Sequence, residues 1–174
     1  MRTISILGID GLDAIMSLVT RAIVRMDERG IPQWDEIYPN RETFAADIAE
    51  RSLYGLSDNG ALAGIVTMNE EQDDAYAHVA WQYDDRKPLV IHRLCVDPSH
   101  QGKGVAKALL DFAEDYARGH GYRTIRLDAF TLNPVSLSLY RARGYSERGV
   151  VRFRKGLFIC FEKAVITGSS GRTA

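Results

Sequence analysis

Two glycines one residue apart, Gly102 and Gly104, stand between an apolar run, LVIHRLCV, and an amphipathic one that starts at Val105. Glycines at a strand-to-helix junction let backbone N–H groups approach a ligand closely, and a helix N-terminus favours an anion. Further along, Ser136 and Tyr140 fall on one face of a short helical pattern at i, i+4, with Asn133 just ahead of it. A phenol keeps its proton at neutral pH and can donate it to a developing negative charge. His92, inside the apolar run, titrates in the range useful to a base. Glu70 and Glu71, at the end of an earlier apolar run, are the carboxylate choices. A strand histidine is as readily structural, a turn glutamate is more readily solvated, and bulk water is a further route for a proton. The base stays open.

Three kinds of glycine loop compete for the anion. A nucleoside-triphosphate loop needs Lys and then Ser or Thr after its second glycine, whereas Val105 follows Gly104. A dinucleotide fingerprint needs a third small residue where Lys107 stands, and its strand usually opens the domain. Asp128 at the end of the next strand is the one feature that suits it. The triphosphate loop therefore fails, and a dinucleotide-dependent oxidoreductase stays a distant reading.

The third fits more of the chain. Gln101-x-x-Gly104-x-Ala106, after a strand ending Leu94-Cys95-Val96-Asp97-Pro98, resembles the coenzyme A pyrophosphate loop of the GNAT superfamily of N-acetyltransferases. Asn133-Pro-Val-Ser136-x-x-Leu-Tyr140-x-x-x-Gly144-Tyr145 resembles the later motif of that family, in the expected order and separation. The resemblance covers about residues 89–147 and is looser before them. It implies that amides from Gly102 through Lys103, Gly104 and Val105 to Ala106 cradle the pyrophosphate, beside Gln101. It also implies that the backbone of Leu94, Cys95 and Val96 pairs with the pantetheine arm, and that Asn133 and Ser136 flank the coenzyme. Acetyl-CoA is then the co-substrate, with no metal, and acetyl passes directly to a primary amine of a small molecule or peptide in a ternary complex. Tyr140 would protonate the departing thiolate, His92 is the first candidate base, and Cys95, with no partner base, is not read as a nucleophile. Trp34, Tyr38, Glu70 and Trp81 are the candidates for the acceptor pocket, although Trp34 and Tyr38 could equally pin their connector to the core. The alternative from another class is a non-catalytic acyl-CoA-binding or sensing domain, since the central strand carries no acid. Family members often dimerise through C-terminal strands, which makes VRFRKGLFICFEK the segment for a homodimer.

The elements around these residues read as one domain. TISILGI is a short strand; a helix follows from Leu12, started by Asp10 and ended at Gly30. RETFAADIAE is a second helix, and Asp58-Asn59-Gly60 turns a hairpin. AYAHVAWQY reads as a strand, LVIHRLCV as a buried central strand. A helix from Val105 to Gly119 or Gly121, the strand TIRLDAF, a helix opened by Pro134 and ended by Gly144, and a final strand or hairpin complete the order. The basic run RGVVRFRKG reads as a solvated face that could also meet an anion on the coenzyme or an acidic substrate. The resulting class is α/β (α+β), a single acyl-CoA N-acyltransferase fold over residues 1–166. Its mixed, mostly antiparallel sheet is splayed at the coenzyme site and flanked by helices, and residues 167–174 read as a disordered tail.

The chain has 174 residues, 22 basic and 23 acidic, with a net charge of −1, so a broad nucleic-acid surface is not expected. No apolar run is long enough to span a membrane, and the N-terminus does not read as a signal peptide. Cys95 and Cys160 lie in apolar runs and read as buried free thiols of a cytoplasmic protein. His78, His92, His100 and His120 have no metal-ligand spacing with them.

Overall fold

The computed structural model describes residues 1–165; the expected tail lies outside the described residues. Seven strands form one sheet: β1 Arg2–Ile6, β2 Leu53–Asp58, β3 Ala61–Asn69, β4 Leu89–Val96, β5 Thr124–Phe130, β6 Ser146–Phe153 and β7 Gly156–Ala164. Their order is β1-β2-β3-β4-β5-β7-β6. Every neighbouring pair is antiparallel except β4 and β5, which run parallel. The helices are α1 Leu12–Glu28, α2 Arg41–Ala49, α3 Val105–Gly119 and α4 Pro134–Ala142. The expected sheet and flanking helices are present.

Period 2 in the strands and 3.6 in the helices sort the core into layers. Val105, Leu109, Leu110 and Ala113 of α3 and Leu137 and Tyr140 of α4 pack with Leu127 and Ala129 of β5 in one cluster. Ile15, Leu18 and Val19 of α1 and Phe44 of α2 pack with Leu53, Ile65 and Cys95 in another. Helices thus cover the sheet from both faces. Along β5 the alternation turns Ile125, Leu127 and Ala129 to the α3 side, leaving Arg126, Asp128 and Phe130 for the opposite side. There they meet Glu162, Cys160 and Phe158 of β7 in register.

Two local readings change. One 3₁₀ turn, Ile9–Gly11, precedes α1, whose N-cap is Gly11 and not Asp10. AYAHVAWQY is not a strand: Asp73 accepts a hydrogen bond from the Ala75 N–H and starts a 3₁₀ turn over Asp74–His78. Tyr, Val and Trp have strand propensity, but a capping side chain two residues ahead diverts the backbone into a turn. The last segment is a hairpin, with β7 inserted between β5 and β6.

Candidate active site

β4 and β5 pair only at Leu89↔Ile125 and Val90↔Arg126; beyond these residues no ladder joins them. The cause lies in β4. Its register with β3 slips between Ile65 and Thr67, and Arg93 takes a left-handed φ of 49° in the bulge. Such a backbone is costly for a residue with a side chain and persists only where its surroundings hold it. Here the Arg93 guanidinium donates from Nε to Asp47 Oδ2 at 2.8 Å and from Nη2 to Asp47 Oδ1 at 2.5 Å. Asp47, on α2, is buried and also accepts from the Thr67 hydroxyl at 2.9 Å. A third Arg93 nitrogen donates to the Tyr38 hydroxyl at 2.8 Å.

The opening leads into a cavity of about 740 Å³. Ile91, His92, Arg93 and Leu94 all line it. In a flat ladder alternate residues would face one side, so four in succession mean that β4 presents its edge to the cavity. Its unpaired backbone groups there need partners. Tyr140, from the α3–α4 side of the sheet, and Asp128, from the other side, line the same space. The gap runs through the sheet and joins its two faces.

Tyr140 is 6 % exposed, and burial followed by the nearby Asp128 charge raises its hydroxyl well above the usual tyrosine range. It therefore holds its proton. Asp128 is pushed up to about 6, mainly by burial; the Tyr76 hydroxyl, donating to Oδ2 at 2.7 Å, works against that rise, and Asp73 adds to it. His92 lines the cavity too, but burial and then Arg93 lower it to about 4, and its Nε2 is engaged with Asn69 Oδ1 at 2.9 Å.

The acceptor candidates separate. Trp34 and Tyr38 line the cavity, together with Gln33 of the same connector. Trp81 does not; it packs against Tyr76 at 5.2 Å and beneath the Arg126 guanidinium at 4.3 Å. Glu70 points elsewhere, accepting from the Tyr122 hydroxyl and pairing with Lys87, while Glu71 reaches the cavity wall. Arg154 and Lys155, in the β6–β7 turn, are not a free basic face: both bind Asp35, fastening the connector to the hairpin. The sequence reading missed Asp128 as a cavity acid, and with it Tyr76 and Arg93. Its signal was present: a carboxylate inside the strand TIRLDAF, two residues after Arg126 on the same face.

For an anionic coenzyme, the glycine loop has the right form. Gly102 and Gly104 have φ of 74° and 78°, and nothing lies within 4 Å of where a Cβ would stand on either. A side chain would fill an open cradle. Gly104 caps α3 without a side-chain acceptor, so the first α3 amides face that cradle without a cap. Leu94 and Ser136 line the cavity, and Val96 is half-buried at the strand end. Cys95 turns to the α1 side, where burial drives its thiol up to about 12. Asn133 caps α4 through Ser136 N and donates to Gln33 Oε1, tying α4 to the connector.

Residues 20–145 match the acetyltransferase (GNAT) family. The chain belongs to that family. GNAT proteins use acetyl-CoA, and the cradle and the open β4 edge fit its pyrophosphate and its amide-bearing arm. This GNAT chain is 28 % identical over 132 residues to N-acetyltransferase 8B of Mus musculus, covering 69 % of this chain and 53 % of that protein. It therefore spans about half the length of that relative. It is 28 % identical over 153 residues to the ribosomal protein bS18-alanine N-acetyltransferase of Escherichia coli (strain K12), covering 87 % and 86 % of the two chains. A solved GNAT acetyltransferase from Streptococcus agalactiae 2603 superposes with a TM-score of 0.84 over 94 % of this chain and 95 % of that one. At 23 % identity that likeness establishes the fold. No helix among the described residues is long and apolar enough to cross a membrane.

Proposed function

We propose that this protein transfers the acetyl group of acetyl-CoA directly to a primary amine of a small molecule or peptide, with both substrates bound together. The observation that carries the reading is the through-sheet cavity, with Tyr140 reaching it from one face and Asp128 from the other. Acetyl-CoA, when bound, supplies an activated thioester. The β4 edge at Leu94 and Val96 would pair with its arm, and the Gly102–Ala106 amides would hold its pyrophosphate.

An amine acceptor arrives protonated and must lose that proton before its nitrogen can attack. Asp128 suits this task better than His92. A base with a pKa of about 6 lies closer to an alkylammonium than one at about 4, by roughly 3 kcal/mol in proton-transfer driving force. Tyr140 holds a proton toward the departing sulfur. Asp128 takes the ammonium proton and releases it to solvent; as the N–C bond then forms and the C–S bond breaks, a second nitrogen proton goes to Asp128 and the phenolic proton to sulfur. Solvent in the open cavity then returns a proton to Tyr140 and takes one from Asp128. Trp34 and Tyr38 shape the acceptor end, and a peptide N-terminus is favoured by the likeness to the bS18-alanine enzyme, which matches most of both chains.

The test is thiol release from acetyl-CoA across a panel of small amines and short peptides. Release that needs both an amine and Tyr140 supports the reading. Saturable acetyl-CoA binding with no release across the panel would replace it with an acyl-CoA-binding or sensing role.

A further inference from the structure

The connection between β3 and β4 has little regular structure, yet it is anchored deep in the sheet. Arg126 of β5 and Glu162 of β7 are buried register partners, 3.2 Å apart. Arg126 donates to Gln72 Oε1 at 2.7 Å and to the Tyr83 carbonyl at 2.9 Å, and Glu162 accepts from the Gln82 N–H at 2.8 Å. Trp81 lies under the guanidinium and donates from Nε1 to the Tyr76 carbonyl at 3.0 Å. Two buried charges are an expensive anchor for a loop, and they lead to one polar contact inside the cavity: the Tyr76 hydroxyl on Asp128.

Packing alone does not require that hydroxyl. The Tyr76 ring is 4 % exposed and clusters with Val79, Val90, Phe130 and Cys160, where phenylalanine would pack as well. We propose that Tyr76 is a positioning residue of the transfer reaction, holding the Asp128 carboxylate in one orientation and in its proton-accepting form. This rests on the reading of Asp128 as the base. With Oδ2 taken by Tyr76, Oδ1 is left for the acceptor ammonium.

The groups around Asp128 make Tyr76 the deciding one. From the same connection come Tyr76 and Asp73, from α4 Tyr140, and from β7 Cys160; His92 and Arg93 of β4 line the same cavity. Burial raises Tyr76, Tyr140 and Cys160, so all three stay neutral at working pH. Asp73 raises Asp128, and the Tyr76 hydrogen bond is the influence that lowers it. Arg93 is already matched by Asp47.

The experiment follows Asp128 directly, by carbon-13 NMR titration of protein labelled at the aspartate carboxyl carbons, with the signal assigned by its loss in Asp128→Asn. Tyr76→Phe should raise the Asp128 midpoint by about one unit, a tenfold change in its proton affinity. Turnover with the best amine of the panel should fall about fivefold at pH 6 and hardly at pH 8.5, with the KM for acetyl-CoA unchanged. If Tyr76→Phe does not fold, Trp81→Phe keeps a ring under Arg126 but removes the donor to the Tyr76 carbonyl, and should move the midpoint in the same direction. An unmoved midpoint in the folded variant overturns the inference whatever the activity does. A loss of rate equal at all pH values overturns it as well. If the midpoint moves but Asp128→Asn keeps the full rate and its acid limb, the base assignment fails, and with it the catalytic meaning of Tyr76. Because the titration needs no acceptor, that failure is distinguishable from a failure of the contact itself.

Discussion

Replacing Tyr140 by phenylalanine separates chemistry from packing unusually well here. The ring sits 5.9 Å from Tyr145 and 5.7 Å from Phe161, and phenylalanine keeps both contacts. No protein group among the described residues hydrogen-bonds the hydroxyl, so removing it orphans nothing, and the melting temperature should stay the same or rise slightly. What is lost is a hydroxyl donor on the cavity wall. One such donor to developing charge is worth about 2–4 kcal/mol, which corresponds to roughly 30- to 900-fold in rate. The assay is single-turnover thiol release at saturating acetyl-CoA and amine, so that product release cannot mask the chemical step. Calorimetry should show acetyl-CoA affinity within about twofold of the parent, as expected for an interaction realised in the transition state. A single-turnover rate within threefold of the parent refutes the assignment of Tyr140 as the acid. An equal loss of acetyl-CoA binding would instead make the hydroxyl a ground-state contact.

Gly104→Ala puts a Cβ at a φ of 78° and into the open cradle, and should weaken acetyl-CoA binding about tenfold or more, read by calorimetry, while leaving the amine KM unchanged. Gly64→Ala meets Val105 Cγ1 at 2.8 Å, the Cys95 carbonyl at 3.0 Å and Leu109 Cδ1 at 3.1 Å, and should cost about 1–3 kcal/mol in urea unfolding, because it pushes α3 off β3. His92, neutral when folded, is about 4 against an ordinary 6.5, so it removes up to about 3 kcal/mol of stability as pH falls from 6.5 to 4. Asp128, about 6 against 3.8, does the opposite and adds a similar amount as pH falls from 6 to 4. The pair should leave little slope in that window. Asp128→Asn should then be more stable near neutrality and lose stability on acidification, and a urea series without that slope would contradict the opposed titrations.

What the sequence revealed was local. Gly102 and Gly104 announce an unusual backbone by their type alone, and Asn133-Pro134 announces a capped helix that carries Tyr140 two turns on. Asp58-Asn59-Gly60 gives a turn, and Asn59 and Gly60 do take left-handed φ values of 52° and 85°. The connection before Pro88 was misread because its fate is decided elsewhere: Arg126 and Glu162 lie about 40 and 80 residues downstream of it, and nothing near Trp81 says that a buried guanidinium will cover it. Asp128 was visible as a polar residue on a central strand. That it faces a cavity depends on β4 peeling away, and the bulge that peels it depends on Asp47, which lies in helix α2 far upstream in the chain.

That dependence gives the architecture its logic. The proposed reaction brings an acyl donor and an amine together from opposite faces, which a closed sheet would keep apart. The Arg93 bulge opens the sheet at one point, and the cost of a left-handed arginine is offset by the bidentate Asp47 pair buried beside it. On the α3 side lie the glycine cradle and Tyr140; on the other lie Asp128 and the connector fastened by Asp35 to Arg154 and Lys155. In the proposed reaction the proton donor therefore stands with the leaving thiolate and the proton acceptor with the incoming amine. Residues of the connector and hairpin can change to suit a different amine while the cradle, the bulge and Tyr140 keep their positions, because the two sets of elements touch the reacting centre from opposite faces of the sheet.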